Sequence, residues 1–267
     1  MSTAQFRRRK RRSNKVIQYV VAAITAMAVT NALIELAAPL SKQRLKRSRI
    51  KYIATPEGDL CTQAVGEEPR VLLLHDLLPG CSMADYEALI TDASTDRVIA
   101  VDLLGYGRSD RPVTNYNIEM HADHVQEILS QYPSITAVVT KGYAASIAIT
   151  VANRAQIPLS LTLLNPEYAA AKSKQHYLIS RIPILGPFVY HVGQIIKDRK
   201  VSAVGQLDDR FGNIHRSGSA NVIHGPFLED LCESIVLPID SDVHVIQINP
   251  DDSADDWSKV RAILFSI

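Results

Sequence analysis

Acidic residues are nearly missing from the first 51 positions, which hold Glu35 alone against 13 Lys and Arg. Subtracting these from totals of 29 basic and 28 acidic residues leaves 16 basic against 27 acidic downstream. The formal net charge of +1 therefore hides a segregation of charge along the 267 residues. Cysteine is scarce too: Cys61, Cys81 and Cys232 are an odd set, which excludes a disulfide-built scaffold and argues against an oxidising compartment. No phosphate loop or dinucleotide fingerprint occurs, since "GYGRS" has the wrong glycine spacing, and no cofactor is implied. Internal repeats and low-complexity tracts are also absent. What remains is a chain with 46% hydrophobic residues, enough for one α/β domain with an appendage.

The appendage is residues 1–51. "RRRKRRSNK" precedes the apolar run "VIQYVVAAITAMAVTNALIELAAPL", and "SKQRLKRSRIK" follows it. Val16 to about Ala38 is long enough to cross a bilayer, which takes roughly 20 mainly apolar residues. A core helix of a soluble domain fits less well, because its long basic flanks would have to stay in water. The expectation is one membrane anchor contacting lipid, with Ala26-Met27-Ala28 as a small-x-small cleavage site if the segment is instead a signal peptide. Seven basic residues before the span and six after it nearly cancel the positive-inside bias. The cost of translocating Arg7 to Arg12 favours an inside N-terminus and an extracytoplasmic domain. The basic runs lack interleaved aromatics, so lipid headgroups are the expected anionic partner and nucleic acid is not.

Residues 52–267 form the expected domain. "RVLLLHD" (Arg70 to Asp76), "DRVIAVDLLG" (Asp96 to Gly105), "SITAVVT" (Ser134 to Thr140), "LSLTLLNP" (Leu159 to Pro166) and "SDVHVIQINP" (Ser241 to Pro250) are nearly continuous apolar runs, predicting strands buried on both faces. "MADYEALITDAS", "NIEMHADHVQEILSQY" and "ASIAITVANRA" have helical spacing. This alternation predicts a doubly wound, mostly parallel α/β sheet. Residues 167–238 break the rhythm with helix-like pieces and predict an inserted helical cap. The strand after Ser241 is expected near one edge of the sheet, with the tail "RAILFSI" as a possible covering strand.

"DLLGYGRSDRP" resembles the D-x-x-G-x-G-x-S-x-x-P signature of the α/β-hydrolase superfamily, especially small membrane-anchored bacterial members. "HDLLPG" resembles the family's H-G-x-x-G oxyanion loop, His75, Asp76 and Leu77 holding those positions, with Asp76 where glycine is usual. The resemblance implies a nucleophile on a tight strand-to-helix turn within "AVVTKGYAASIAI". No serine stands there. The register "GYAAS" puts Ala144 at the nucleophile position and is preferred for its leading Gly142; "TKGYA" puts Gly142 there. Ser146 lies about a turn into the helix, where a hydroxyl bonded to a preceding carbonyl is the expected role.

The family's acid corresponds to Asp252, or to Asp251, in "QINPDD", which also reads as turn or capping residues. Its histidine is expected after that acid, yet residues 253–267 contain none. His121 and His124 share a helical face near Glu119, expected to be solvated and short of the ligands a metal site needs. Two functions remain open. One is a pseudo-hydrolase whose pocket binds a small molecule, lipid or protein. The other is an active ester or amide hydrolase with an unconventional constellation that recruits Ser146 or His75.

Overall fold

The computed structural model describes residues 3–37, 48–78, 81–87, 97–112, 114, 116–154, 158–166, 182, 184–199, 242–246, 260 and 262. Strands β1 (Ser48–Thr55), β2 (Gly58–Val65), β3 (Val71–Leu74), β4 (Val98–Val101), β5 (Ala137–Lys141), β6 (Ser160–Leu164) and β7 (Val243–Ile246) form one sheet in the order β1-β2-β4-β3-β5-β6-β7. The five from β4 to β7 are parallel, and β1 and β2 add an antiparallel hairpin at one edge. β7 lies at the opposite edge, as its place in the sequence leads one to expect.

Alternate side chains of the apolar runs feed two cores. Leu72, Leu74, Ile99, Val101, Val138, Leu161 and Leu163 pack with helices α2 (Ile118–Gln131) and α3 (Ala145–Arg154). On the other face Leu73, Val98, Ala100, Val139 and Leu164 pack with Met83, Tyr86 and Val260. Each fully buried aliphatic side chain contributes about 1.5–3 kcal/mol. Both faces are dry, which is why these strands read as continuous apolar runs rather than alternating ones. α2 begins at Asn117, whose side-chain oxygen accepts the Met120 amide at 2.8 Å.

The hairpin was not foreseen. β1 runs across position 51, so the sheet begins inside the basic segment. Its sequence, "SRIKYIAT", is charged and half-exposed, whereas β3 and β4 are wholly apolar. The tail departs from expectation as well: Val260 and Ala262 are helical, and Val260 is fully buried in the second core. A covering strand therefore does not start there.

The glycine-rich signature ties the sheet's carboxyl end together. Asp102, fully buried, accepts the Met83 amide on Oδ1 at 2.8 Å and the Arg108 amide on Oδ2 at 2.9 Å. Gly107 has φ of 47°, and a Cβ there would lie 2.2 Å from the Asp102 carboxylate, so only glycine fits. Ser109 Oγ donates to the Asp102 carbonyl and accepts the Cys61 amide at 2.7 Å, linking this turn to β2.

One further helix, α1 (Thr3–Ala37), precedes the domain. Its stretch Lys15–Ile34 is long and apolar enough to cross a membrane, and it is almost wholly exposed. From the 167–238 segment the described residues are Ile182 and 184–199, with helix α4 at Leu185–Arg199.

Candidate functional site

In a parallel sheet, ligands bind at the carboxyl ends of strands where successive crossovers leave in opposite directions. Here that point is β3, flanked by β4 on one side and β5 on the other. Two loops meet at it: His75-Asp76-Leu77 after β3, and the turn after β5.

The chain leaves β5 at Lys141, makes a 3-10 turn over Gly142–Ala144 and enters α3 directly. Gly142 carries the bend, with φ of 58°. Ala144 lies two residues on, inside the 3-10 turn and fully buried. The strained position therefore falls on the register "TKGYA", not on the register centred on Ala144. A short apolar stretch gives no sign of where the bend falls; the lone glycine between Lys141 and Tyr143 was the available signal.

Asp76 occupies the space in front of Gly142. A Cβ added to Gly142 would lie 2.2 Å from Asp76 Oδ2, so the carboxylate stands where a side chain at 142 would project. Its Oδ1 accepts the Leu77 amide at 2.7 Å and the Tyr143 amide at 3.0 Å. Asp76 is 5% exposed. Two converging backbone donors, one from the residue after the bend and one from the facing loop, are the arrangement that stabilises a developing oxyanion in acyl transfer. In this protein a carboxylate of the chain itself takes both.

The loop is held from every side. Leu103 N–H donates to His75 Nε2 at 3.0 Å, which requires the proton on Nδ1, and Nδ1 donates to the Asp76 carbonyl at 2.7 Å. The Tyr106 hydroxyl donates to the Leu77 carbonyl, and its ring stands 4.9 Å from the His75 ring. His75 is buried with both ring nitrogens committed to backbone groups, so it fixes the loop and has no nitrogen with which to relay a proton.

Other candidate nucleophiles fare no better. Ser146 is 2% exposed, and its hydroxyl has no hydrogen-bond partner, so the expected bond to a preceding carbonyl is not made. It sits among apolar α3 neighbours of the first core. Burial, with Asp85 and Asp76 adding to it and Lys141 opposing, pushes the Cys81 thiol well above its ordinary range, so it stays protonated. Asp251 and Asp252 lie outside the described residues.

His121 and His124 are not on a solvated face: each is 2% exposed. His124 Nε2 meets Glu57 Oε2 at 2.7 Å, in the turn between β1 and β2, while Glu119 faces outward and pairs with Arg154. Burial, reinforced by His124 and His75, holds His121 down at about 3, so it is neutral. Among the described residues no third side chain joins the pair to make a metal site.

No known family profile matches the chain. A haloalkane dehalogenase of Psychrobacter cryohalolentis is 37% identical over 81 residues, covering 28% of this chain and 27% of that protein. The chain thus matches about a quarter of that relative's length. Solved structures match far more of it. A haloalkane dehalogenase of Agrobacterium tumefaciens aligns with a TM-score of 0.61 at 12% identity, over 83% of this chain and 98% of the other. An epoxide hydrolase of Vigna radiata gives 0.59 at 13%, over 84% and 100%. A membrane phospholipase A described as a bacterial virulence factor gives 0.55 at 14%, over 96% and 98%. The chain has the α/β-hydrolase fold. Within that fold Gly142 stands at the strand-to-helix bend, and Leu77 and Tyr143 supply the amides that face it.

Proposed function

We propose that this protein is a membrane-anchored member of the α/β-hydrolase fold that binds a ligand without hydrolysing it. The single observation that carries the reading is Asp76, which fills the side-chain volume at position 142 and takes both amides at that bend. Gly142 is then the vacated nucleophile position. A substrate carbonyl would find neither an attacking group nor a free pair of donors for its oxyanion. His75, with both ring nitrogens committed to the backbone, is not available as the base.

The anchor reading rests on Lys15–Ile34, where 20 residues at about 1.5 Å each match a hydrocarbon core of about 30 Å. The neighbour of nearly equal length is a membrane phospholipase, which supports an amphipathic lipid as the class of ligand. Alkaline extraction of membranes containing the full-length chain should leave it in the pellet, and native mass spectrometry of the detergent-purified protein should reveal a co-purifying lipid. Release into the supernatant would remove the anchor. A bound water-soluble metabolite in place of lipid would remove the ligand class.

A further inference from the structure

The polar side chain Asn31 interrupts the apolar face of α1. It lies inside the stretch Lys15–Ile34 yet is only 9% exposed, and its Nδ2 donates to the Ile184 carbonyl at 2.9 Å. Its Oδ1 is buried with no hydrogen-bond partner. Met27, Ala28, Thr30, Asn31 and Ile34 are the shielded positions at this end of α1, recurring at three- and four-residue spacing along one side, while residues 15–26 are all exposed. That side packs against α4.

The other half of the contact is strained. Ile184 has φ of 68°, a left-handed conformation that a β-branched side chain opposes. Its carbonyl starts α4 by accepting the Phe188 amide at 3.1 Å and also receives Asn31. Strain at a non-glycine residue persists only where surrounding contacts hold it, and here the holding group comes from the apolar helix.

Position along α1 decides what surrounds this junction. All 20 residues of Lys15–Ile34 are needed to span a bilayer, and Asn31 lies three residues from the end, about 4.5 Å inside it. The first turn of α4 is therefore level with the boundary between headgroups and acyl chains. Beside it Ile182 and Val189 are 45% and 48% exposed. The chain segment bearing α4 also leaves β6 at the same end of the sheet as Gly142 and Asp76.

We infer that α4 is an interfacial helix, clasped to the anchor by Asn31, with its exposed Val189 and the preceding Ile182 resting in a phospholipid bilayer. The basic runs on both sides of the span favour an anionic bilayer as the surface concerned. This rests on reading α1 as an anchor.

The test uses the full chain reconstituted in vesicles of phosphatidylethanolamine and phosphatidylglycerol. Trp257, the single tryptophan, is changed to Phe, and a reporter is introduced as Val189→Trp, with Glu127→Trp on α2 as the exposed control. Brominated phospholipid should quench Val189→Trp at least twofold more than Glu127→Trp. Adding Asn31→Leu, which keeps the anchor apolar, should cut the Val189→Trp quenching by half or more. Co-sedimentation with Val189→Trp unquenched overturns the proposal while sparing the anchor. A blue-shifted but unquenched reporter, the sign of a protein partner on α4, overturns it equally. Unchanged quenching in Asn31→Leu removes the clasp, and failure to co-sediment removes the anchor and the proposal together.

Discussion

The Asp76 carboxylate accepts the Tyr143 amide at 3.0 Å across the bend where this fold presents its nucleophile. The same group lies within 2.5 Å of any Cβ built on Gly142. Glycine at 142 and aspartate at 76 are therefore one feature, each requiring the other.

Gly142→Ser alone should destabilise the protein by about 3 kcal/mol, through a non-glycine residue at positive φ and overpacking against the carboxylate. Asp76→Gly should cost about 2 kcal/mol by stripping two buried amides of their acceptor. Combining them removes the collision, so denaturant unfolding of the double variant should show it about 2 kcal/mol more stable than the two losses added together. Additivity within about 0.5 kcal/mol would show that the two positions do not meet.

Ser146→Ala should leave stability unchanged or raise it by up to about 1 kcal/mol, because it removes a buried hydroxyl that has no partner. A loss above about 1 kcal/mol in urea titration would mean that the hydroxyl is bonded after all.

The parallel sheet and the edge place of its last strand were legible because burial on both faces writes β3 to β6 as largely apolar runs; β7, expected to be buried on both faces, is instead half-exposed, with Val245 open at the edge. β1 was missed because it mixes charge with apolar residues and so resembles the basic segment in which it begins, and β2 because Asp59, Thr62 and Gln63 interrupt its apolar pattern. The signature around Asp102 was legible since Gly107 has no substitute so close to a carboxylate. Asp76 was noticed as a departure from glycine, yet its meaning depends on a contact 67 residues along the chain, with Tyr143. No local pattern encodes that. The same holds for His121 and His124, whose helical spacing suits a solvated face until Glu57 and Tyr116 are brought over them.

His121 makes stability depend on pH. Its folded value of about 3 lies below the value of about 6.5 for an exposed histidine, so on acidification the unfolded chain takes up a proton that the folded chain refuses. This contribution is fully present above about pH 6.5 and is lost as pH falls toward 3, at about 1.4 kcal/mol per pH unit. Urea midpoints for His121→Gln should show a pH slope shallower by about one proton between pH 6 and 4. Parallel slopes for variant and natural protein would place His121 in water.

The proposed loss of hydrolytic chemistry is tested most directly by intact-mass spectrometry of the full-length natural protein after prolonged incubation with a serine-directed fluorophosphonate. The predicted result is an unchanged mass, with p-nitrophenyl ester turnover at buffer background both in the natural protein and in the Asp76→Gly/Gly142→Ser variant, which regains a hydroxyl but no base. A stoichiometric adduct on the natural protein, abolished by Ser146→Ala, would contradict the account, as would ester turnover well above background in either protein.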